Sequence, residues 1–301
     1  MRKTKAKLIY NPTAGQIWSQ FKPDNAKTYL EENGWEVDVS PTKGKGDGIE
    51  LARLAVEQEY DVVIAAGGDG TINEVIQSIA GKNIILGILP VGTTNVLARE
   101  LKIPLNCEKA LATLVEGKVV DYDLGIVNDQ YFSLMVGIGF DAQLVKNVDS
   151  FLKKISGIFA FAAKTPITII THKATKMKIV LWDKNRKRKV LKRKCHQIIV
   201  SNIETYAIDY IISPSARFDD GLLNVAIFRT KSLLHFILGL AYLVFNRKSE
   251  KKMTEHYKIS KMTIKTTEPV PIQIDGDHVG FTPAVIEVKP NYLQVIKPVE
   301  E

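Results

Sequence analysis

Tyr60-Asp61-Val62-Val63-Ile64-Ala65-Ala66-Gly67-Gly68-Asp69-Gly70-Thr71 is the stretch on which the reading of this 301-residue chain turns. Residues 60–66 are almost unbroken in their apolar character, as a central parallel strand covered on both faces requires. Gly67, Gly68 and Gly70 then let the backbone turn sharply and approach a ligand closely. A helical pattern runs from Thr71 to residue 80, so Thr71 is expected to cap a helix whose free N–H groups and positive dipole end favour a phosphate. Asp69 adds a carboxylate at the same place, suited to a magnesium-positioned group or to a hydroxyl needing orientation. A plain strand–helix turn also uses glycine. Three glycines, an acid and Thr71 at the carboxyl end of a central strand favour binding over that plainer reading.

The neighbouring sequence repeats the grammar. Residues 7–10 read as a strand ended by Asn11-Pro12, 24–33 as a helix, 35–39 as a strand and 48–59 as a helix. Residues 84–89 form another buried strand, and 96–101 a helix ended by Ile103-Pro104. Short helices between buried strands predict a right-handed parallel α/β sheet. A second glycine turn, Pro90-Val91-Gly92-Thr93-Thr94-Asn95, follows the strand after the first, and two such neighbours make a nucleotide cradle. Asn11-Pro12-Thr13-Ala14-Gly15 brings a third loop to the same edge, although alone it reads as a turn.

From about residue 119 the pattern changes. Strands are expected at 122–127, 130–136, 177–182, 190–202, 222–229, 258–266, 270–274 and 284–288, joined by turns such as Asn128-Asp129 and Asp275-Gly276-Asp277. Helical insertions are expected at 145–163 and 231–245. The predicted fold is an N-terminal Rossmann-like parallel α/β domain followed by a mostly antiparallel β-sandwich domain. Its bounds are 1–120 and 121–290, and the last strand, within 291–301, can rejoin the first domain.

Several classes are excluded. There is no G-x-x-x-x-G-K-[ST] and no H-R-D or D-F-G, which removes P-loop proteins and protein kinases. Gly137-Ile138-Gly139-Phe140-Asp141-Ala142 matches a dinucleotide fingerprint but lacks the βαβ unit and the later acid. Cys107 and Cys195 are the only cysteines and the five histidines are scattered, so neither a disulfide frame nor a zinc cluster is expected. The basic N-terminus leads into no apolar signal region. The longest apolar run, 233–245, is shorter than the roughly 20 residues that cross a bilayer.

Taken together, Asn11 to Gly15, Gly67 to Thr71 with Asn73-Glu74, Gly92 to Asn95, Gly139-Phe140-Asp141-Ala142, Asp219-Asp220-Gly221 and Asp275-Gly276-Asp277 resemble, in order, the motifs of diacylglycerol kinases. The chain is most similar to the soluble bacterial lipid kinases related to sphingosine and ceramide kinases, and the resemblance spans nearly its whole length. It implies an NAD-kinase-like N-terminal domain and ATP with Mg²⁺ in a cleft between the domains. It implies that Asn11, Gly67, Gly68, Asp69, Gly70, Thr71, Glu74, Gly92, Thr93 and Thr94 hold the nucleotide. Asp275 would take the proton from the lipid hydroxyl, with Asp69 as the second catalytic carboxylate. Read without the family, Asp275-Gly276 is an ordinary hairpin turn. The resemblance also implies a structural Mg²⁺ on Asp220, the carbonyl of Leu222 and Asp219, although Arg217 stands where a further acidic ligand is expected. Gln16 stands where many relatives have a basic residue, leaving Lys22 to reach the phosphates. An NAD kinase, which shares the Gly67 to Thr71 loop, and a non-catalytic lipid-binding regulatory protein are the alternative readings.

Charge is concentrated. Lys184, Arg186, Lys187, Arg188, Lys189, Lys192, Arg193 and Lys194 lie together without an acid; without these eight, 33 basic residues face 33 acidic ones. Such a patch suits anionic lipid headgroups, and equally a solvated hairpin tip. No aromatics interleave with it, so nucleic acid is not expected. The expected setting is cytoplasmic and peripherally membrane-associated, with a lipid substrate. Oligomeric state is open, a homodimer being one option.

Overall fold

Alternation of buried strands with amphipathic helices builds the first part of the chain. In order come β1 (Thr4–Tyr10), α1 (Pro23–Glu32), β2 (Trp35–Pro41), α2 (Asp47–Glu57), β3 (Val62–Gly67), α3 (Asp69–Ile79), β4 (Ile85–Pro90), α4 (Val96–Glu100), α5 (Cys107–Glu116) and β5 (Lys118–Val127). The computed structural model describes residues 3–14, 21–148, 165, 167–206, 210–228, 236 and 254–299. Gly15, Gln16 and most of the helices expected at 145–163 and 231–245 lie outside the described residues. The chain divides into two units, residues 1–124 with 291–301 and residues 125–290.

In the first unit β2, β1, β3 and β4 lie side by side, all parallel. Gln294 and Val295 of the last strand add to β4, also in parallel, opposite Ile85 and Leu86. Every residue of β3 is buried, as its apolar run required. Chain order reverses between β1 and β3, because β1 leads outward to β2 while β3 leads to β4. Open α/β sheets bind ligands at such a reversal, beyond the carboxyl ends of the strands.

One helix escaped the sequence reading. Ile103-Pro104 ends the preceding helix as expected, and two residues on the Asn106 side chain caps α5 by accepting the Lys109 N–H at 3.0 Å, with Ala110, Leu111 and Leu114 facing the interior. Helix α3 also begins two residues before the expected start. Asp69 opens it, and Thr71 lies inside its first turn instead of capping it.

The second unit contains β6 (Gln130–Phe132), β7 (Met135–Gly139), α6 (Phe140–Asn147), β8 (Thr175–Trp182), β9 (Arg188–Cys195), β10 (Gln197–Ser201), β11 (Thr205–Tyr206), β12 (Tyr210–Ile211), β13 (Leu223–Phe228), β14 (Thr254–Ile259), β15 (Lys261–Thr266), β16 (Pro271–Ile274), β17 (Asp277–Phe281) and β18 (Ala284–Lys297). One antiparallel sheet runs β14-β13-β10-β7-β16-β17. The other contains the first half of β18, then β15, β8 and β9. Their inner faces share a core that includes Val136, Ile138, Ile198 and Val225 from one sheet and Ile179, Met262, Ile264 and Ile286 from the other. This is the expected sandwich. Three predicted strands are each two strands. Residues 130–136 break at Ser133-Leu134, 190–202 at His196, and 258–266 at Ser260, where the chain passes from one sheet to the other. Conversely, 284–288 and 292–296 are one strand, β18. Among the described residues no helix is long and apolar enough to cross a membrane.

Candidate functional site

In the first unit the two glycine turns meet. A Cβ on Gly92 would lie 2.3 Å from the Gly68 Cα, and one on Gly67 would lie 2.4 Å from the Thr71 Oγ1. Only a missing side chain permits either approach. Val91 N–H donates to the Gly67 carbonyl at 3.2 Å. Asn95, at φ 48°, closes its own loop: its Oδ1 accepts the Gly92 N–H at 3.0 Å and its amide donates to the Gly92 carbonyl at 2.9 Å.

Asp69 fastens the two turns together. Its carboxylate accepts the Thr94 hydroxyl at 2.8 Å and the Leu97 N–H at 3.2 Å. The acid therefore caps α4 from a neighbouring loop and acts as a positioning group. Thr71 is buried beneath Gly67, whereas Thr93 and Gly70 are exposed. No side chain caps α3, so its first-turn N–H groups keep the anion-binding character expected of a helix start.

Asn11 sits beside this pair, its N–H donating to the Ala66 carbonyl at 3.0 Å and its Oδ1 accepting from Thr13 N–H at 2.9 Å. Glu74 holds a further glycine loop. Its two carboxylate oxygens accept the Gly46 and Gly48 N–H groups at 2.8 and 3.0 Å, holding the start of α2. That contact identifies a loop the sequence reading passed over, Thr42-Lys43-Gly44-Lys45-Gly46, at the carboxyl end of β2. The signal was its glycine spacing, obscured because no buried apolar strand precedes it.

In the second unit Asp275 and Gly276 form the turn of the β16–β17 hairpin, at φ 45° and 89°, the pair of left-handed conformations that a tight hairpin needs. The Asp275 carboxylate accepts three backbone N–H groups, from Ser133 at 3.0 Å, Leu134 at 3.1 Å and Met135 at 2.7 Å, with the Ser133 hydroxyl at 3.3 Å. These donors explain why β6 and β7 separate there. A second layer sets the turn. Buried Gln273 donates to Asp141 at 3.1 Å and accepts the Gly276 N–H at 2.8 Å. Asp141 packs where a Gly137 side chain would stand. Sequence reading named the Asp141 motif but could not join it to Gln273, 132 residues away.

The implied structural metal does not fit its residues. Arg217 takes both oxygens of Asp219, at 2.9 and 3.0 Å. Asp220 receives the Leu222 N–H at 3.1 Å and the Lys258 ammonium at 2.8 Å. Two carboxylates each already in contact with a cation attract a divalent ion less strongly. Among the described residues no cluster of three or more His, Cys, Asp or Glu could hold a metal.

Beside α6 lies a cavity of about 280 Å³ lined by polar Gln143, Lys146 and Lys173 and by apolar Met177, Val270 and Phe281, with the Lys146 ammonium over the Phe281 ring at 4.9 Å. His172 and His196 line it as well. Burial, with the neighbouring His196, pushes His172 down to about 4, and burial also lowers His196.

Comparison with known proteins bears on both units. Residues 5–127 match the diacylglycerol kinase catalytic domain family, and residues 134–297 match the YegS C-terminal NAD kinase beta sandwich-like domain family. A diacylglycerol kinase of Staphylococcus saprophyticus is 31% identical over 99% of this chain and 96% of its own length. One from Bacillus subtilis is 29% identical, over 99% and 97%. The crystal structure of a candidate diacylglycerol kinase from Bacillus anthracis has a TM-score of 0.79 at 25% identity, over 98% of this chain and 95% of that one. Another from the same organism, at 21% identity and a TM-score of 0.72, shares the fold.

Proposed function

The chain belongs to the diacylglycerol kinase family and is a lipid kinase, and we propose that it moves the γ-phosphoryl group of ATP to the hydroxyl of diacylglycerol or a related lipid. The observation that carries this reading is the pair of glycine turns pressed together at the reversal of the parallel sheet. Gly68 and Gly92 touch there, Asp69 ties one turn to the other, and the α3 amides face a site where a phosphate suits. Asn11, Gly67, Gly70, Thr93 and Thr94 complete the proposed nucleotide loops.

Magnesium, when bound on the triphosphate, supplies charge compensation. The chain's own groups supply position. Asp275 is the proposed acceptor of the lipid hydroxyl's proton. Its three N–H donors hold it in position, and position is what phosphoryl transfer asks of it. The loose transition state needs the attacking oxygen oriented more than deprotonated in advance. The cavity beside α6, lined by both polar and apolar side chains, suits the glycerol end of a lipid. Since that lipid resides in a bilayer, the enzyme would work while peripherally attached to a membrane.

The test is a panel assay with purified protein, γ-labelled ATP, Mg²⁺ and candidate lipids in mixed micelles. Label should enter the organic phase with diacylglycerol. Label appearing in NADP, or no transfer to any lipid alcohol, would overturn the reading.

A further inference from the structure

Strand register places lysines where a folded sheet would ordinarily avoid them. Lys192 of β9 lies directly opposite Lys178 of β8, and Lys178 lies directly opposite Lys265 of β15. One row of three neighbouring strands thus carries three ammonium groups. Two residues along, Lys194 lies opposite Lys176. All five are exposed, and among the described residues none has a carboxylate partner. Other basic residues of this sheet do have one: Lys261 pairs with Glu287, and Arg193 with Glu255.

Directly opposed side chains have Cβ atoms about 5 Å apart, and like charges at that distance destabilise a sheet. The row is not a by-product of packing either. On β8 and β9 the alternate residues Met177, Ile179, Leu181 and Leu191 fill the core, so the lysines occupy the opposite face by period. The next row holds the exposed Val190 and Val285 with Thr263 and buried Val180 between them, and the row after it holds half-buried Trp182 between Lys261, itself paired with Glu287, and Arg188. Beyond them the turn residues Lys184, Arg186 and Lys187 are exposed as well. A surface with unpaired cations beside exposed valines, and a Trp in the row after them, has the composition that lipid–water boundaries favour.

We propose that the outer face of the β18-β15-β8-β9 sheet is the surface on which this protein docks to anionic phospholipid bilayers. This rests on the lipid-kinase reading and adds its site of attachment. Charge complementarity selects the partner: several unpaired ammonium groups on one sheet face match a plane of anionic headgroups. A nucleic acid would call for stacking aromatics among the cations, and Trp182 is the single aromatic of the face. One consequence follows from the reaction. Diacylglycerol is neutral and its phosphorylated product is anionic, so each turnover would strengthen the surface that holds the enzyme. Turnover on uncharged vesicles should therefore start with a lag that premixed anionic lipid abolishes.

The experiment is co-sedimentation of the full chain with vesicles of phosphatidylcholine alone or with added phosphatidylserine. The wild type, the triple variant Lys178→Gln/Lys192→Gln/Lys265→Gln, and the charge-retaining triple arginine variant are compared. The wild type should bind only the anionic vesicles, and less as salt rises. The glutamine variant should partition about 100-fold more weakly. The arginine variant should bind like wild type, and the glutamine variant should melt no lower than wild type because its row no longer repels itself. On a water-soluble short-chain diacylglycerol the glutamine variant should keep wild-type turnover. Equal binding of the wild type and the glutamine variant to anionic vesicles would overturn the proposal. So would stronger binding to duplex DNA or tRNA than to vesicles at equal phosphate. Absence of short-chain turnover in every protein would instead count against phosphoryl transfer and leave the docking result standing.

Discussion

Replacing Asp275 by Asn separates an anchoring role from a chemical one. Asn-Gly is the best-suited pair for this turn, since Asn tolerates the left-handed conformation that Asp275 holds at φ 45°. The turn itself is therefore not strained by the change. What changes is the acceptor set. The amide keeps one oxygen, which can serve the Leu134 and Met135 N–H groups, while its NH₂ would face the Ser133 N–H now bonded at 3.0 Å. One charge-assisted bond disappears, at about 2 kcal/mol, and the Ser133 N–H left facing a donor costs about 1–3 kcal/mol. The site is partly solvated, which reduces the sum to about 3 kcal/mol. For a unit of this size that corresponds to a fall of roughly 6–12 °C in melting temperature. Thermal melts followed by circular dichroism check it. Kinase assays well below both midpoints then read the chemistry, where the variant should lose most of its turnover. A melting temperature unchanged from wild type would refute the anchoring argument, and full turnover would remove Asp275 from the reaction.

The remaining expectations concern other parts of the molecule. Gly92→Ala drives a Cβ to 2.3 Å from the Gly68 Cα, so the two turns must part; a loss of about 1–3 kcal/mol and a raised KM for ATP are expected from denaturant melts and kinetics. Buried His172 is held down at about 4 against an ordinary 6.5, so the unfolded chain binds more protons between those values. Stability should accordingly be whole above pH 6.5 and fall as pH drops towards 4, by at most about 3 kcal/mol, and His172→Gln should flatten that slope in urea melts. Chelation of divalent ions should leave the melting temperature unchanged, because Lys258 and Arg217 already neutralise Asp220 and Asp219. Lys258→Met should then make stability respond to added Mg²⁺.

Local signals were enough to read the architecture. The apolar run of residues 60–66 is β3, and the glycines after it end the strand where expected, because covered parallel strands and tight turns write themselves into a few consecutive residues. The change of pattern near residue 119 likewise announced the sandwich. Strand breaks were harder. His196 and Ser260 are unremarkable in sequence, and only the passage of the chain between sheets turns them into corners. The Asn106 cap of α5 was hidden behind Pro104.

Side-chain duty was the part that sequence left open. Motif order put Asp69, Glu74 and Asp275 on the page as carboxylates, yet which hydrogen bonds each accepts depends on residues far along the chain. Asp69 meets Thr94, Glu74 meets Gly46 and Gly48, and Asp275 meets Ser133 to Met135 across about 140 positions. The same holds for Asp220, whose cation Lys258 comes from β14, 38 positions away, and for the lysine row, which exists only once β9, β8 and β15 are in register. Amino-acid order determines which elements form, since propensity and periodicity act over a few residues. Folding decides which charges face one another, because Coulomb forces and hydrogen bonds act through space.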